Sequence, residues 1–455
     1  MTRSLTWREL QASAHDLEPP FNLVLDDGAF TVVEILRHLP GRRLTAGVSD
    51  SLRGEGVLKV FFGGRATRDW QRARRGQQAF QKAGVRTTPV VTEKAGVAPW
   101  LLFARLPGTR HADAADSEQL ASILGRLHHA GYSHTDLHVG NFLRDPDGFI
   151  HCIDGDAVVP RVTSVQGGLP ELAILLAQFP VSARPDVAAS LAAYLLERQA
   201  ESGLHLTARL NDLLRTAMHR RVRHYLAKAM RDCTNFVTGR VGSSRTVARR
   251  ESAVLFDQFA ADPERWFRAD GSALKRGNSA TVVRLVIGGV TLVAKRYNIT
   301  GTQHRLRRIF KRRGKDAWLN GLRLAFLGIP TAKPLGLIET GPRWWPGPSY
   351  VLMEHLGGRD LATLTSTGAI DRFTLKELCE IVDWFRLAGL SHGDFKSTNF
   401  LLHEGRLHVI DVDAVDVGTQ QADIERLLAN WPLGSQVRNV VREGLLATGI
   451  RVDAL

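Results

Sequence analysis

The segment SHGDFKSTNFL, residues 391–401, sets an Asp, a Lys and an Asn at fixed spacing between two apolar runs. The segment SHTDLHVGNFL, residues 133–143, has Ser-His at one end, Asn-Phe-Leu at the other and the same spacing of Asp and Asn. Turns favour Asp and Asn in any protein, so one such loop says little by itself. Two copies in one chain indicate a chemistry that the chain carries twice.

The similarity between the two halves extends in both directions from these loops. Downstream, GFIHCIDGDAV (148–158) corresponds to GRLHVIDVDAV (405–415), an apolar strand that ends in Ile-Asp-x-Asp. Upstream, GVLKVF (56–61) corresponds to TLVAKRY (291–297), and each places one Lys in a β-rich run. A repeat of this length indicates a domain duplication, since solenoid repeats have periods of roughly 20–50 residues.

The order of these elements predicts an α+β fold class with two tandem modules. Each module is a small antiparallel β-rich lobe followed by a helical lobe, and we expect the modules at residues 30–240 and 262–455. Residues 241–261 are predicted to be a linker, because VTGRVGSSRTVARRE is rich in Gly, Ser and Arg and weakly patterned. Residues 1–29 are predicted to be an N-terminal extension.

The composition is that of a globular protein. No apolar run approaches the roughly 18 residues that a membrane span needs, and the N-terminus lacks the apolar region of a secretory signal. The three cysteines lie far apart without metal-ligand spacing, so we expect a cytoplasmic protein with reduced thiols. The net charge of +14 favours polyanionic partners: nucleotides, nucleic acid, phosphorylated glycans or an anionic membrane surface.

The repeated residues match the requirements of phosphoryl transfer from a nucleotide. This reaction needs a Lys on the phosphates, oxygen ligands for Mg²⁺ and an acceptor for the proton of the attacking hydroxyl. In the second module, Lys295, Asp394, Asn399 and Asp411 fit these roles.

The first module carries the corresponding residues Lys59, Asp136, Asn141 and Asp154. Two interpretations stand for this set. It forms a second working site, or it is a degenerate copy that keeps its turn and has lost its activity.

The pattern Asp394-x-Lys396-x₂-Asn399 resembles the catalytic loop of the protein-kinase-like superfamily, in which Asp411 would be the metal-binding Asp. The segments HGDFKSTNFL, GIPTAKPLG and IDVDAV are more similar to the family of lipopolysaccharide core heptose and Kdo kinases. The resemblance implies ATP and Mg²⁺ as cofactors. It makes Asp394 and Asp136 the catalytic residues, and Asn399 and Asp411, with their first-module counterparts, the metal ligands.

The resemblance also implies a set of nucleotide-binding residues. Lys295 and Lys396 would contact the phosphates, as would Lys59 in the first module. Gly277 lies in the short turn 275–279 and is either a phosphate-turn glycine or an ordinary hairpin glycine. Glu354 belongs to the segment whose backbone would hold the adenine edge.

The sequence departs from the superfamily pattern in three ways. Neither module has a G-x-G-x-x-G loop, and neither helix after the Lys strand offers a convincing Glu partner for the lysine. His138 replaces Lys396 in the first module. No A-P-E segment follows Asp411, which removes the platform for a peptide substrate and favours a glycan or small-molecule hydroxyl.

The family phosphorylates sugars on the cytoplasmic face of the inner membrane. The resemblance therefore implies a lipopolysaccharide core glycolipid as acceptor and peripheral contact with the anionic inner-membrane surface, and we expect no nucleic-acid partner. Residues 305–315 form a basic run with apolar residues at helical spacing, which is either a solvated face or a helix resting on anionic lipid. Residues 219–231 allow the same two interpretations.

These observations predict an ATP-dependent kinase that acts on a heptose or Kdo hydroxyl, with the second module the more active half. One alternative is a small-molecule phosphotransferase of the antibiotic-kinase type, against which the positive net charge weighs. The other is a non-catalytic pair of pseudokinases that binds anionic lipid or nucleic acid. The Lys, Asp and Asn residues retained in both modules weigh against that alternative.

Overall fold

The computed structural model describes residues 3–13, 17–26, 28–50, 54–201, 203–268, 273–299, 312–342 and 344–452. The chain divides into two compact units, and the predicted α+β fold class is confirmed. Unit 1 comprises Met1–Phe179 and Pro185–Leu214, and unit 2 comprises Pro180–Arg184 and Arg215–Leu455. None of the helices in the described ranges combines the length and the apolar composition that crossing a bilayer requires.

The β-rich part of unit 1 is a sheet of seven described strands in the order β1-β2-β3-β4-β5-β7-β6. The strands are antiparallel except for the β1–β2 pair. Period-2 alternation turns Leu44, Ala46 and Val48 into the core. The bounds are β1 Arg3–Thr6, β2 Phe21–Leu25, β3 Gly28–Leu39, β4 Arg43–Asp50, β5 Gly54–Phe61, β6 Val90–Lys94 and β7 Trp100–Ala104.

Helices and short strand pairs make up the rest of unit 1. Their apolar faces form one core that includes Leu124, Leu172 and Tyr194. The helices are α1 Trp7–Ala12, α2 Ala66–Lys82, α3 Ser117–His129, α4 Val165–Leu176, α5 Val187–Glu197 and α6 Leu204–Lys228, with unit 2 beginning inside the last. The short strands are β8 Arg110–His111, β9 Tyr132–His134, β10 Phe142–Arg144, β11 Ile150–Cys152 and β12 Val158–Pro160.

Unit 2 has a second sheet of seven described strands, in the order β13-β14-β18-β19-β17-β16-β15. Gly288 and Gly289 form the hairpin turn that joins β16 to β17, and both have positive φ angles, of 56° and 80°. The bounds are β13 Phe236–Val241, β14 Ser244–Arg249, β15 Ala273–Arg276, β16 Ala280–Ile287, β17 Val290–Tyr297, β18 Pro334–Glu339 and β19 Ser349–Glu354.

The helices and short strands of unit 2 follow the same plan as those of unit 1. The helices are α7 Ala253–Ala260, α8 Pro263–Arg268, α9 Arg313–Phe326, α10 Leu361–Ser366, α11 Arg372–Ala388, α12 Gln421–Leu428 and α13 Gln436–Ala447. The short strands are β20 Arg359–Asp360, β21 Leu390–Ser391, β22 Phe400–His403, β23 Arg406–Val409 and β24 Asp416–Val417.

The two sheets share a five-strand order with the same connections. In unit 1 the order is β3-β4-β5-β7-β6, and α2 lies in the chain between β5 and β6. In unit 2 the order is β15-β16-β17-β19-β18, and α9 lies between β17 and β18. The remaining strands are added at different places, next to β3 in unit 1 and next to β18 in unit 2.

The predicted linker over residues 241–261 is wrong. Gly242 and Ser243 form the turn of the β13–β14 hairpin. β14 also pairs with β18, so β14 has a neighbouring strand on both sides. The next residues form α7, which buries Phe256 and Phe259. The Gly-Ser-rich stretch is therefore a hairpin turn rather than a linker, because the strands on both sides of it are paired.

The first 29 residues are also more than an extension. β1 and β2 are strands of the unit 1 sheet, and Phe21, Leu23 and Leu25 are buried in its core. The alternation of apolar and polar residues in FNLVL is too short to predict a strand from the sequence. The pairing of this segment with β3 in the structure identifies it as a strand of the sheet.

Candidate active site

The Asp-x₄-Asn loop of unit 2 runs from β21 to β22 and is closed by its own hydrogen bonds. The backbone N–H of Lys396 donates to the Asp394 carbonyl at 2.8 Å, and the N–H of Asn399 donates to the Lys396 carbonyl at 2.8 Å. The Asn399 Nδ2 also donates to the Asp394 carbonyl, at 2.9 Å. These bonds leave the Asn399 Oδ1 as the acceptor atom of the amide.

The loop of unit 1, between β9 and β10, repeats these bonds. His138 N donates to the Asp136 carbonyl at 2.9 Å, and Asn141 N donates to the His138 carbonyl at 2.9 Å. Asn141 Nδ2 donates to the Asp136 carbonyl at 2.9 Å. The five-residue spacing read from the sequence is therefore the spacing that closes this loop in both units.

The two loops differ around the Asp carboxylate. In unit 2 the Lys396 Nζ lies 3.0 Å from Asp394 Oδ1. In unit 1 the residue at the matching position, His138, instead caps the turn by accepting from the Gly140 N–H at 3.0 Å. Unit 2 therefore holds a lysine beside the candidate base, and unit 1 holds an imidazole that bonds to its own backbone. The predicted contact of Lys396 with the phosphates stays a prediction.

Asp411 and Asp154 follow the next strand in each unit and share an unusual backbone conformation. Both are left-handed, with φ of 59° and 62°. Side chains other than glycine rarely adopt this conformation, and such residues concentrate at functional sites. The conformation is stabilised in each unit, since the residue before the Asp donates its N–H to the Asn carbonyl of the loop at 2.9 Å.

The lysines of the two sheets reach these aspartates across long stretches of chain. Lys59 Nζ lies 2.7 Å from Asp154 Oδ1 and 2.8 Å from Asp156 Oδ1. Lys295 forms an ion pair with Asp411 and lies 3.8 Å from Asp413 Oδ1. The partner that the sequence left open for each lysine is thus the Asp-x-Asp pair, not an acid on the following helix.

The lysines shift the pKa values of their partners. Burial alone would raise the pKa of Asp411, but the ion pair and hydrogen bond with Lys295 outweigh it and lower the pKa to about 2. Burial likewise opposes the effect of Lys59 on Asp154, and the pKa of Asp154 is lowered overall. Both carboxylates are therefore ionised at neutral pH.

The loop histidines are buried and act as braces. His392 stacks on Phe395 with ring centroids 5.0 Å apart, and its Nε2 lies 3.2 Å from the Ile410 carbonyl. Burial lowers the pKa of His392 and of His134, so both are neutral at pH 7. In unit 1, the Asp136 N–H donates to His134 Nδ1 at 3.3 Å.

Glu171 and Asp423 lie four residues before the similar segments LLAQFP (175–180) and LLANWP (427–432), and neither acid was predicted to have a role. Asp423 is 1% exposed and accepts from Ser391 Oγ, His392 N and Gly393 N at 2.7, 2.6 and 2.9 Å. Glu171 accepts from His134 N at 3.1 Å. An acid at the same distance before each LLAxxP segment was the signal, and its role is to hold the start of the loop.

Sequence reasoning also missed the arginine that holds the second Asp of each pair. In unit 1, Arg43 of β4 lies 2.5 Å from Asp156. In unit 2, Arg313 at the start of α9 lies 2.6 Å from Asp413. The two arginines come from different elements, so comparison of the two halves could not align them.

Two predicted nucleotide-binding residues sit in more ordinary surroundings. Gly277 lies in the β15–β16 turn, where its N–H donates to the Ala280 carbonyl at 3.0 Å. Glu354 ends β19, and its N–H donates to the Lys333 carbonyl at 3.0 Å. The Glu354 N–H is therefore already occupied, and the roles of both residues stay predictions.

Unit 1 contains a cleft of about 470 Å³ beside its loop, lined by Lys59, Asn141 and Asp154 together with strand residues. A smaller cavity of about 260 Å³ contains the candidate base Asp136. Four arginines line this cavity: Arg37, Arg42, Arg43 and Arg72. The larger cleft has the size of a small-ligand site. In the smaller cavity the four arginines are matched by four aspartates: Asp69, Asp136, Asp154 and Asp156.

No family model matches the sequence, and no curated protein matches it. Among solved structures, the chain is similar to one described as "WaaP in complex with acyl carrier protein". The identity is 20% and the TM-score is 0.32, and the match covers 42% of this chain and 88% of that chain.

Proposed function

We propose that the chain is an ATP-dependent kinase that phosphorylates a sugar hydroxyl, with unit 2 as the leading half. One observation carries the proposal. In each unit a strand lysine meets the Asp of the Ile-Asp-x-Asp motif, although the two residues are 95 positions apart in unit 1 and 116 in unit 2. Such a pair, beside an Asp-x₄-Asn loop, supplies the groups that phosphoryl transfer needs.

The reaction in unit 2 follows from the roles of four groups. Lys295 binds the phosphates of ATP, and Asp394 accepts a hydrogen bond from the sugar hydroxyl and orients it. The hydroxyl oxygen attacks the γ-phosphorus, and its proton passes to the Asp394 carboxylate. The bond between the γ-phosphorus and the bridging oxygen breaks, and ADP leaves. Lys396, whose Nζ lies 3.0 Å from Asp394 Oδ1, would contact the γ-phosphate and stabilise the negative charge on the transferred phosphoryl group.

The donor set suits Mg²⁺. The Asn399 Nδ2 is used by the Asp394 carbonyl, which leaves its amide oxygen free to coordinate, and Asp411 is ionised at neutral pH. Both are hard oxygen donors of the kind that Mg²⁺ prefers. Asn399 and Asp411 would hold the ion, which when bound neutralises phosphate charge.

The identity of the sugar acceptor is proposed from the sequence resemblance and from the net charge. The similarity of HGDFKSTNFL and IDVDAV to the lipopolysaccharide core kinases favours a heptose or Kdo hydroxyl of the core glycolipid. The net charge of +14 favours an anionic acceptor and contact with the anionic inner face of the inner membrane. Residues 305–311 of the basic run lie outside the described residues. The two interpretations of the run, a solvated face and a helix resting on anionic lipid, therefore both stay predictions.

Unit 1 has the same lysine–aspartate pair and the same closed loop, so we propose that it also binds nucleotide. Whether it transfers phosphate depends on Asp136, which lacks the lysine neighbour of its counterpart in unit 2. If unit 1 is a second kinase, Asp136→Ala lowers phosphate transfer. If unit 1 is a pseudokinase, the same substitution leaves transfer unchanged.

The test is transfer of phosphate from Mg·ATP to purified lipopolysaccharide core by the intact chain. The variants are Asp394→Ala, Asp136→Ala and the double variant, with the exposed Asp416→Ala as the matched control. We expect Asp394→Ala to remove most of the transfer and the control to retain it.

Each outcome of this test assigns a role. Loss in Asp136→Ala alone would move the chemistry to unit 1, and partial loss in each with two products would mean two kinases. Absence of transfer by the intact protein, with nucleotide binding retained, would contradict the acceptor. Absence of nucleotide binding as well would contradict the kinase.

A further inference from the structure

Unit 2 contains a cavity of about 800 Å³ that the proposed kinase reaction does not use. Four pieces of unit 2 line it: the β13–β14 hairpin, the end of β17, the first turn of α9 and the loop between β18 and β19. The polar residues that matter here are Arg240, Arg245, Arg312, Lys315 and Glu339. Neither Lys295 nor Asp411 is among its described lining residues.

The cavity carries more positive than negative charge. Arg312 is paired with the one acid among the described lining residues, Glu339, at 3.2 Å. Arg240 and Lys315 have no acidic partner within the part of the chain that the structure describes. Arg245 donates to a backbone carbonyl, that of Met230, at 2.7 Å, and lies opposite Glu339 in the β14–β18 register. Glu339 therefore faces two of the four cations and leaves the lining with more positive than negative charge.

The β13–β14 hairpin holds two of these cations against each other. Arg240 and Arg245 are directly opposite in the antiparallel register. Opposed like charges destabilise a strand pair, and Glu339 on β18 lies opposite only one of the two arginines, so an anion bound beside both guanidinium groups would stabilise the hairpin. The hairpin is itself fixed, since β14 pairs with β18 along the other edge.

Hydrogen bonds close the base of the loop between β18 and β19, which forms one wall of the cavity. Gly347 N donates to the Thr340 carbonyl at 2.8 Å, and Thr340 Oγ1 donates to the Pro348 carbonyl at 2.6 Å. Gly341 has a φ of 74°, and a Cβ there would meet the backbone of the same loop. A cation-lined cavity with a preformed wall binds an anion without first ordering its own backbone.

We propose that this cavity binds a phosphate monoester. Four cations, three of them arginines whose guanidinium groups can offer paired N–H donors, suit a doubly charged phosphate better than a single carboxylate. The volume exceeds that of phosphate alone and fits a phosphate attached to a sugar or to a lipid headgroup. The site goes beyond the proposed kinase reaction and does not depend on it.

The proposed ligand would bind next to the candidate active site. Tyr297 lines the cavity, and its ring centroid lies 4.9 Å from Lys295 Nζ and 5.3 Å from Arg313 Cζ. Arg313, which holds Asp413, lies between the cavity residues Arg312 and Lys315 in the chain. Because phosphate probes could also enter a nucleotide site, the experiment has to separate the two.

The experiment measures binding of three probes to the full chain by calorimetry and, for vesicles, by sedimentation. The probes are inorganic phosphate, glucose 6-phosphate, and phosphatidylcholine vesicles with and without phosphatidic acid. The cavity variant is Arg240→Ser/Lys315→Met. The matched control, Arg442→Ser/Lys376→Met, removes the same two charges from exposed positions elsewhere in unit 2. Thermal unfolding without probe verifies that both variants are folded.

We expect the cavity variant to bind its probe about tenfold more weakly or worse, and the control to bind as the unchanged protein does. Binding of the soluble probes alone identifies a free phosphate compound, and binding of phosphatidic acid vesicles alone identifies a lipid headgroup. Equal affinity of the unchanged protein, the cavity variant and the control variant would mean that the probe binds at another site, and it would overturn the proposal. Equal loss in the control, or no binding by the unchanged protein, would also overturn it.

Discussion

Asp411 and Asp154 each combine three features of the candidate site in one residue. Each combines a left-handed backbone, an ion pair with a strand lysine and a carboxylate held below its ordinary pKa. The conformation is costly for an Asp, and the lysine and the hydrogen bonds of the adjoining loop stabilise it. A metal-binding role would use the same carboxylate that the lysine now neutralises.

Replacing Lys295 with Met leaves the Asp411 carboxylate partly buried without its cation. We expect unit 2 to lose about 1–2 kcal/mol of unfolding free energy at pH 7, a value reduced from that of a fully buried pair because Asp411 is 34% exposed. The pair lowers the pKa of Asp411 from 3.8 to about 2. Its stabilisation is therefore complete above about pH 4 and is lost as the pH falls toward 2.

Urea unfolding of the wild type and of Lys295→Met between pH 2 and pH 7 measures this effect. The difference between the two proteins should be largest above about pH 4 and shrink below it. Lys376→Met, at an exposed surface pair, should change stability by a few tenths of a kcal/mol at every pH. A difference for Lys295→Met that does not vary with pH would contradict the pairing.

At the scale of elements, the helix after each lysine strand is packed against the Asp-x-Asp turn rather than linked to the lysine. In unit 1, α2 approaches backbone to backbone at Gly76, where a Cβ would overlap the carbonyl of Gly155. In unit 2, Asn320 of α9 donates to the carbonyls of Val412 and Val415 at 3.0 and 2.8 Å. The backbone contact at Gly76 in unit 1 and the Asn320 hydrogen bonds in unit 2 both hold the helix against the Asp-x-Asp turn.

Gly76→Ala should displace the turn that carries Asp154. The added methyl meets backbone, which cannot move aside as a side chain can, so we expect a loss of about 1–3 kcal/mol or more and weaker nucleotide binding by unit 1. Thermal unfolding and titration with a nucleotide measure both effects. Gly64→Ala, where a Cβ would meet nothing within 4 Å, should be close to neutral. Equal behaviour of the two variants would refute the close approach.

Asp423→Asn should loosen the start of the unit 2 loop. The amide keeps the shape but presents an NH₂ group to three donors, so some of the hydrogen bonds from Ser391, His392 and Gly393 are lost. We expect kcat for sugar phosphorylation to fall about 10²-fold with a smaller change in KM, because the base is misplaced by a fraction of an ångström or more. Steady-state kinetics measure the two constants.

The control for this variant is Glu425→Gln, at an exposed position of the same helix α12. It should leave both constants unchanged. Wild-type kinetics in Asp423→Asn would mean that the loop is held by its own hydrogen bonds alone.

At the scale of the whole molecule, one arrangement is present twice in one chain. Each lysine pairs with carboxylates of its own unit. The units differ in the strands added to each sheet and in the arginine that holds the second Asp. The lysine–aspartate pair and the closed loop are therefore what the two units share, while the elements around them differ.

The intact chain should bind two nucleotides. Calorimetric titration with a non-hydrolysable Mg·ATP analogue should give two sites in the wild type, one in Lys59→Met, one in Lys295→Met and none in the double variant. The reason is that each lysine would bind the phosphates of one site only. Lys376→Met should retain two sites. One site in the wild type that survives Lys59→Met would make unit 1 a scaffold.

Much of the candidate site can be predicted from the sequence, because the signals are local. The Asp-x₄-Asn spacing closes a loop within a few residues, and Lys59 and Lys295 lie in strands recognisable by alternation. The linker at residues 241–261 was wrong for the same reason: glycine and serine mark a turn but do not say whether its flanks are paired.

The sequence by itself determined the α+β class, the duplication and the residues of both loops, since these depend on periodicity, turn chemistry and internal similarity. Only the tertiary structure decided that the lysines pair with Asp154 and Asp411, and that Arg43 and Arg313 hold the second Asp from unrelated elements. It alone set Arg240 opposite Arg245. Contacts between residues far apart in the chain depend on how the elements pack, and no local pattern records that.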